Sequence, residues 1–253
     1  MRENMEGYGR GRIIIFQPMS SLYLSFLLAL STFFLPYLIV TGVIFSRSLE
    51  VPSYLIFMIF LLSLFGSYVN IRIREVESIQ PITYFKEVDF FGVRWRIPEI
   101  GYAPRKTVIA INVGGALIPL LFSIYLLIFS VPNHGAPLVS YIKILTAFII
   151  VTLVVHAFAT PIKGLGIAVP SFIPPLISAT AAAILSPIYV RTNPFIIAYV
   201  GGTLGTLVGA DLLNWKKIPE LGAPIASIGG AGIFDGIYMT GIMAVLILWL
   251  LLI

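Results

Sequence analysis

The sequence contains no cysteine and few charged residues. The absence of cysteine excludes disulfide frameworks, zinc–thiolate sites, iron–sulfur clusters and cysteine nucleophiles. Charged residues make up 11% of the 253 residues and hydrophobic residues 58%, whereas a soluble domain contains about 25% charged residues. A soluble globular protein is excluded, because so few polar side chains cannot cover a surface in water, whereas a surface in lipid needs none.

Seven apolar segments approach the length of about 20 mostly apolar residues that a membrane-crossing helix needs. We predict spans at Leu22–Phe45, Tyr54–Tyr68, Val108–Phe129, Ile142–Ala159, Phe172–Leu185, Pro194–Leu213 and Ile233–Ile253. The second and fifth are short, which favours tilted, kinked or re-entrant helices. Pro174 and Pro175 in the fifth span predict that no unbroken regular helix forms there. The expected fold class is an all-α polytopic membrane protein with about seven transmembrane helices.

The N-terminal segment, residues 1–21, is basic and precedes the first apolar run. Arg2, Arg10 and Arg12 are typical of the start of a secretion signal. The apolar run that follows is longer than the core of a signal peptide and lacks a small-residue cleavage site. We therefore predict a cytoplasmic segment followed by a retained span, with a cleaved signal as the alternative.

Basic residues predict the orientation in the membrane. With seven spans, the N-terminus and loops 2–3, 4–5 and 6–7 share one side, and that side carries most of the lysines and arginines. The other side has only Arg47 and Arg191, with Lys143 near the start of a helix. The positive-inside rule then places the N-terminus in the cytoplasm. We expect the membrane to be the plasma membrane. Because no nucleic-acid motif accompanies this charge, we expect no nucleic-acid partner.

The largest segment between spans lies at residues 70–106 and is predicted to be a small cytoplasmic β-hairpin-like insertion. It separates spans 1–2, within residues 22–69, from spans 3–7, within residues 107–253. Residues 84–90 and 93–97 alternate in part between polar and apolar types around Phe91-Gly92, as in a hairpin. Trp95 and its neighbouring arginines suit the lipid headgroup region; the alternative is a loop whose charge only sets topology.

Asp211 and Asp235 are the two acids that fall within or at the ends of apolar spans. Because a charge is costly in lipid, such residues are candidates for a functional site. Asp211 lies near the end of the sixth span and Asp235 near the start of the seventh. An antiparallel helix pair would place them at similar depth on the cytoplasmic side.

Glycines repeat every four residues around these acids. Gly201, Gly205 and Gly209 do so on the sixth span, and Gly232 and Gly236 on the seventh. Small residues at this spacing let helix backbones touch. We therefore expect the two carboxylates to lie beside a close contact between the sixth and seventh helices.

Two nearby carboxylates cannot both ionise easily, so the pair can share one proton. In aspartyl proteolysis, one carboxylate activates a water molecule and the other protonates or polarises the peptide carbonyl. Proton- or cation-coupled transport uses the same chemistry, and the spacing does not separate the two. A further alternative is that both acids are structural, with Asp211 hydrogen-bonded to Asn214 at a helix end and Asp235 favoured at a helix start.

Other polar and backbone features surround this pair. The predicted substrate-binding set contains Asn112, Asn214, Gly209, Gly236, Pro174 and Pro175. Residues 222–232 are small and apolar, which favours a re-entrant segment lining a cavity. His156 is expected to form an interhelical hydrogen bond, with metal binding or proton relay as alternatives. No metal or cofactor motif is present, so neither is predicted.

Four motifs in order resemble an uncharacterised prokaryotic, archaeal-type family of polytopic membrane proteins. They are Asn112–Pro119, Gly164–Pro175, Gly209–Asn214 and Gly229–Gly236. The resemblance implies a protein of the cytoplasmic membrane and implies no established activity.

A looser resemblance links the chain to presenilin, signal-peptide-peptidase and prepilin-peptidase-like aspartyl proteases. Phe234-Asp235 is similar to their aromatic-Asp motif, and Val208–Asp211 is similar to their Gly-x-Gly-Asp motif, in reversed order. The leading hypothesis is an intramembrane aspartyl protease that uses Asp211 and Asp235 on a transmembrane peptide, with the lipid bilayer as its other partner. A cation- or proton-coupled transporter or channel is the alternative, and a non-catalytic membrane scaffold is the third.

Overall fold

The computed structural model describes residues 13–15, 39–91, 93–163, 166–231 and 235–252. Most of this part of the chain is helical. Its helices are α1 (Ile39–Leu49), α2 (Ser53–Gly66), α3 (Ile118–Tyr125), α4 (Pro137–Phe158), α5 (Ile173–Leu185), α6 (Pro194–Thr206) and α7 (Gly236–Leu252).

Among the described residues, three helical segments are long and apolar enough to cross a membrane. They are Val113–Asn133, which contains α3, then α4 itself, and Pro194–Leu212, which continues α6. The helices α1, α2, α5 and α7 are apolar but shorter. By length and composition, the structure therefore agrees with a helical membrane protein.

Strands form two sheets beside the helices. The larger has the order β1-β2-β3-β6 and the smaller pairs β4 with β5. The strands are β1 (Ile13–Ile15), β2 (Val69–Phe90), β3 (Val93–Asn112), β4 (Thr160–Ile162), β5 (Gly166–Ala168) and β6 (Ile225–Ile228). The hairpin of β2 and β3 lies between α2 and the span of α3, where the sequence predicts a hairpin.

The third predicted span begins too early. The prediction starts the helix at Val108, but Val108–Ile111 pair in parallel with β6 as the end of β3, and the helical segment begins at Val113. A short apolar run does not distinguish a buried strand from a helix by its pattern. The first predicted span falls largely on residues 16–38, outside the described residues, and α1 covers its last part.

Pro174 and Pro175 do not interrupt a helix. They lie in the first turn of α5, where a backbone N–H has no intrahelical acceptor and the fixed φ of proline suits the helix. The prediction of a broken helix was wrong, because the helix begins at the prolines and does not run through them.

The hairpin tip matches the sequence prediction, but the arm is longer. Phe90 pairs with Val93, and the ladder continues down to Asn70 and Asn112. The Arg96 Nε donates to the Glu87 Oε1 across the strands at 3.0 Å. Trp95 is exposed, so its place at the headgroups stays a prediction.

All three prolines of the arm lie on its outer edges. In a hairpin with a two-residue turn, the flanking pair is hydrogen-bonded, and such pairs then recur at every second residue. Counting from Phe90 and Val93, the nitrogens of Pro81, Pro98 and Pro104 point away from the partner strand. The prolines therefore remove no ladder bond, and they protect the free edges from pairing with other strands.

The helix α6 is central to the bundle. Ten of its thirteen residues are buried. The Tyr199 ring packs edge-on against the rings of Phe122 and Phe45, with centroid distances of 5.1 Å and 6.4 Å. Because α6 is packed on several sides, small residues are needed on more than one of its faces.

The glycine repeat on α6 faces α4, and the prediction that it makes the contact with the seventh helix was wrong. A Cβ on Gly205 would lie 2.7 Å from the Val151 Cβ, and one on Gly209 would lie 2.6 Å from the Thr152 carbonyl oxygen. Other glycines make the α6–α7 contact: a Cβ on Gly241 would lie 2.5 Å from the Thr203 Oγ1. The repeat thus fixes α4 against the segment that carries Asp211.

Candidate functional site

Asp211 and Asp235 line one cavity of about 430 Å³. It lies where the ends of α6 and α7 meet the start of α5 and the strand β5. Its other lining residues are Ile167, Ala168, Val169, Ser171, Pro174, Thr206, Ala210, Ala231, Gly236, Ile237, Met239 and Met243. The two acids are close enough to interact electrostatically. That the two acids form one functional site stays a prediction.

Asp211 lies in a π-helical turn, Leu207–Leu212, that continues α6. The Leu213 N–H donates to the Val208 carbonyl at 2.9 Å, five residues back. Such turns insert one residue into a helix, which rotates the side chains that follow, and they are frequent at functional sites. Among the described residues, none donates a hydrogen bond to the Asp211 carboxylate.

Asp235 is held more firmly. Its Oδ1 accepts a hydrogen bond from the Ile237 N–H at 3.0 Å, and the backbone of Ala231 also donates to the carboxylate. Its carbonyl accepts from the Met239 N–H at 2.9 Å, in the first turn of α7. Asp235 is thus the helix-start acid of the structural alternative, and it also lines the cavity.

The two carboxylates therefore have different surroundings. Backbone N–H donors stabilise the charged form of a carboxylate, and Asp235 has two of them. Asp211 has none within the described part of the chain. No lysine or arginine forms an ion pair with either acid there. The two acids therefore differ in hydrogen bonding, and Asp235 is the more firmly held of the two.

Hydroxyl groups extend the polar side of the cavity. The Thr206 Oγ1 donates to the Thr240 Oγ1 at 3.2 Å, which in turn donates to the Gly236 carbonyl at 2.6 Å. Thr206 and Ser171 are lining residues that the sequence interpretation missed, because a hydroxyl in a span carries little cost and does not stand out.

Met239 and Met243 were also missed, although the sequence holds a signal for them. They follow Asp235 at successive intervals of four residues and share one face of α7, because residues four apart are neighbours on a helix. Their side chains, with Ile237, make that wall apolar.

The predicted substrate-binding residues divide into two groups. Gly236 and Pro174 line the cavity, whereas Pro175, Gly209, Asn112 and Asn214 are not among its lining residues. The side chain of Asn112 is fully buried at the start of the third span. Its Oδ1 accepts from the Gly115 N–H at 2.8 Å and its Nδ2 donates to the Ser67 carbonyl at 2.8 Å. Asn112 thus caps a helix and ties the hairpin base to α2.

Asn214 and His156 lie behind the cavity, at the contact of α4 with α6. The Asn214 Nδ2 donates to the Ala210 carbonyl at 2.9 Å and lies 3.3 Å from the His156 Nδ1. The expectation that His156 forms an interhelical hydrogen bond is confirmed. In the described ranges, no group of three or more His, Asp or Glu residues is arranged to hold a metal ion.

Residues 222–232, expected to be re-entrant, contain the strand β6. It pairs with β3 from Ile225 to Ile228, and Ala231 after it reaches the cavity. As far as Ala231 the backbone is non-helical, as the sequence indicates, and β3 pairs with one edge of β6. Its depth in the membrane stays a prediction.

Comparison with known proteins gives a family without an assigned activity. No curated protein and no solved structure matches the chain significantly. A family described as a protein of unknown function, DUF1614, matches residues 64–247. That match covers α3 to α6, most of α7, the hairpin and both cavity aspartates. The chain therefore belongs to the DUF1614 family.

Proposed function

We propose that this protein is an intramembrane aspartyl peptidase in which Asp211 and Asp235 act together on a water molecule. The observation that carries the proposal is their shared cavity, which they enter from the ends of two different helices. The looser resemblance of Phe234-Asp235 and Val208–Asp211 to aspartyl-protease motifs points to the same chemistry.

The different surroundings of the two acids favour one assignment of roles within this proposal. The charged Asp235 takes a proton from water as general base, and the water oxygen attacks the peptide carbonyl carbon. Asp211 gives its proton to the carbonyl oxygen as general acid. The tetrahedral intermediate then collapses: the C–N bond breaks, the leaving nitrogen takes the proton held by Asp235, and a hydroxyl of the intermediate returns its proton to Asp211 as the C=O bond re-forms. The products are a carboxylic acid and an amine.

The walls of the cavity suit an apolar, extended peptide. Ile237, Met239 and Met243 form one wall, and residues 167–169 form another. In the described sheet, β5 pairs with β4 alone, so one edge of β5 carries free backbone groups. An extended peptide can add to such an edge and gain main-chain hydrogen bonds.

The site is proposed to act in the plasma membrane, near its cytoplasmic face. The support is the distribution of lysine and arginine, which favours seven spans with the N-terminus in the cytoplasm. Reporter fusions at Lys106 and Lys217 are expected to report the cytoplasm, and fusions at Asn133 and Arg191 the other side. A reporter at Lys217 on the outer side would overturn this topology.

The alternative function is cation- or proton-coupled transport. The observation that favours it is the polar lining of the cavity, in which Asp211, Asp235, Thr206 and Ser171 offer oxygen atoms. Oxygen atoms are the ligands of hard cations, and intramembrane acids mark ion pathways.

One reconstitution separates the two functions. Purified protein in liposomes is given a membrane-spanning peptide labelled at both ends, and cleavage and cation flux are both measured. Asp211→Asn and Asp235→Asn are each expected to lower the rate of cleavage by roughly a thousandfold or more. Catalytic residues that act together lose most of their effect when one of them is removed. Glu220→Gln, at an exposed acid, is the matched control and should cleave normally.

Cleavage that survives both aspartate substitutions would overturn the peptidase. Cation flux that is lost in the same two variants, without any cleavage by the wild type, would establish transport in its place.

A further inference from the structure

We infer that His156 is a positioning residue for Asp211, acting through Asn214 across the α4–α6 contact. The inference concerns the regulation of the cavity acids, so its consequence for activity rests on the proposed function. The geometry itself is independent of the reaction.

The contact between His156 and the end of α6 offers two alternative hydrogen bonds. The His156 Nδ1 lies 3.3 Å from the Asn214 Nδ2, which is a donor, and 3.3 Å from the Gly209 carbonyl oxygen, which is an acceptor. An imidazole nitrogen accepts when it carries no proton and donates when it carries one. One ring atom can therefore bond to Asn214 or to Gly209, and its protonation state decides which.

The Asn214 amide group joins the same carbonyls. Its Nδ2 donates to the Ala210 oxygen at 2.9 Å and lies 3.2 Å from the Gly209 oxygen. These carbonyls belong to the π-helical turn, in which the regular pattern of backbone hydrogen bonds is changed. When His156 accepts from Asn214, one amide hydrogen goes to the ring and the other to Ala210. When His156 donates to Gly209, the amide must turn to the carbonyls alone.

Asp211 follows these two carbonyls directly in the chain. Gly209 has no room to move towards α4. A Cβ on Gly209 would lie 3.0 Å from the Val155 Cβ and 3.2 Å from the backbone nitrogen of His156. The segment is therefore clamped on its α4 side by packing and on its polar side by His156 and Asn214. Any change in that polar contact is passed to the backbone that aims Asp211 into the cavity.

Asp235 provides an internal reference for this effect. It is anchored by backbone donors before α7 and forms no hydrogen bond with His156 or Asn214 in the described part of the chain. A change at His156 should thus alter Asp211 and leave Asp235 as it was.

Labelling with an apolar carbodiimide measures this directly and requires no peptidase activity. The reagent adds to protonated carboxyl groups in apolar surroundings, and mass spectrometry of the full-length protein in detergent gives the rate at each aspartate. The measured quantity is the ratio of the Asp211 rate to the Asp235 rate at one fixed pH. Thermal unfolding of each variant checks its folding.

Two substitutions of nearly equal shape form the matched pair. His156→Asn keeps a donor and an acceptor close to the Nδ1 position and is expected to retain the wild-type ratio. His156→Leu removes both, and the ratio should fall by roughly threefold to tenfold, the value of one hydrogen bond. A ratio that stays unchanged in His156→Leu, or that falls equally in His156→Asn, overturns the inference.

Substitution of Asn214, the other partner in this contact, provides a second test. Where His156→Leu does not fold, the ratio is measured in Asn214→Ala, which should lower it to the same extent; an unchanged ratio there overturns the inference. Failure of the proposed function is distinguishable, because a protein without any peptidase activity would still show the change in labelling ratio.

Discussion

Asp211 and Asp235 line the same cavity, and among the described residues backbone N–H groups bind Asp235 and not Asp211. The first acid is carried by a π-helical turn and the second caps the start of α7. Backbone donors favour the charged form of a carboxylate, so the proposed division of roles between the two acids rests on this asymmetry. The predictions below test contacts around the cavity and in the hairpin.

Gly209 is expected to tolerate no larger side chain. Gly209→Ala places a Cβ 2.6 Å from the Thr152 carbonyl oxygen, and such overpacking costs about 1–3 kcal/mol. The free energy of unfolding in detergent should fall by that amount. Gly236→Ala is the control, because its Cβ would meet only the Thr206 Cγ2, at 3.8 Å. Equal stability of the two variants would contradict the close approach of α4 and α6.

Lys143 is a buried cation that holds a loop. It is 4% exposed, and its Nζ donates to the Ser186 and Val190 carbonyls at 2.8 and 2.7 Å. Lys143→Met removes both bonds, although the Ser186 carbonyl keeps its bond from the Thr192 N–H at 3.1 Å. A hydrogen bond to a charged group contributes about 1.5–3 kcal/mol, so the melting temperature should drop clearly. Lys163→Met, at an exposed lysine, should leave the melting temperature unchanged. A stable Lys143→Met variant would show that these bonds contribute nothing.

Asn112 should affect stability and leave the chemistry of the cavity unchanged. Asn112→Ala removes the cap of the third span and is expected to cost about 0.5–2 kcal/mol. Asn112→Asp keeps the oxygen that accepts from the Gly115 N–H, so this variant should lose less stability than Asn112→Ala. In neither folded variant should the carbodiimide labelling ratio of Asp211 to Asp235 change. A changed ratio would support the sequence prediction that Asn112 belongs to the substrate-binding site.

The base of the hairpin should contribute more to stability than its tip. The Thr107 Oγ1 is buried and lies 2.6 Å from the Ala223 carbonyl and 2.7 Å from the Ser78 Oγ. Thr107→Val should therefore cost about 1 kcal/mol or more. Glu87→Gln breaks an exposed ion pair with Arg96, and such pairs contribute about 0–1 kcal/mol. Unfolding curves that rank the two variants the other way would contradict this account of the arm.

The sequence predicts the main elements because they depend on local patterns. Long apolar runs locate α4 and the α6 span, and the alternation around Phe91 locates the hairpin tip. Val108–Ile111 could not be assigned correctly, because four apolar residues suit a buried strand and a helix equally. Their strand state is decided by pairing with β6, more than a hundred residues along the chain.

The sequence also singled out the two acids, since charge in an apolar span is rare and costly. It could not show which helix the glycines of α6 face, because that depends on how several helices pack around it. Nor could it place Thr206 in the cavity, since a threonine in a span has many ordinary roles. The π-helical turn at Asp211 packs against α4 through Gly209 and has no local signature in the sequence.

The most direct test of the shared aspartate site uses the absence of cysteine in the chain. Cysteine is introduced by Asp211→Cys together with Asp235→Cys, and the protein is treated with a short bifunctional thiol reagent. Efficient intramolecular cross-linking is the predicted result, with none in the control pair Glu220→Cys and Asp235→Cys. If both thiols react singly and the cross-link does not form, the two aspartates do not share a cavity and the account is contradicted.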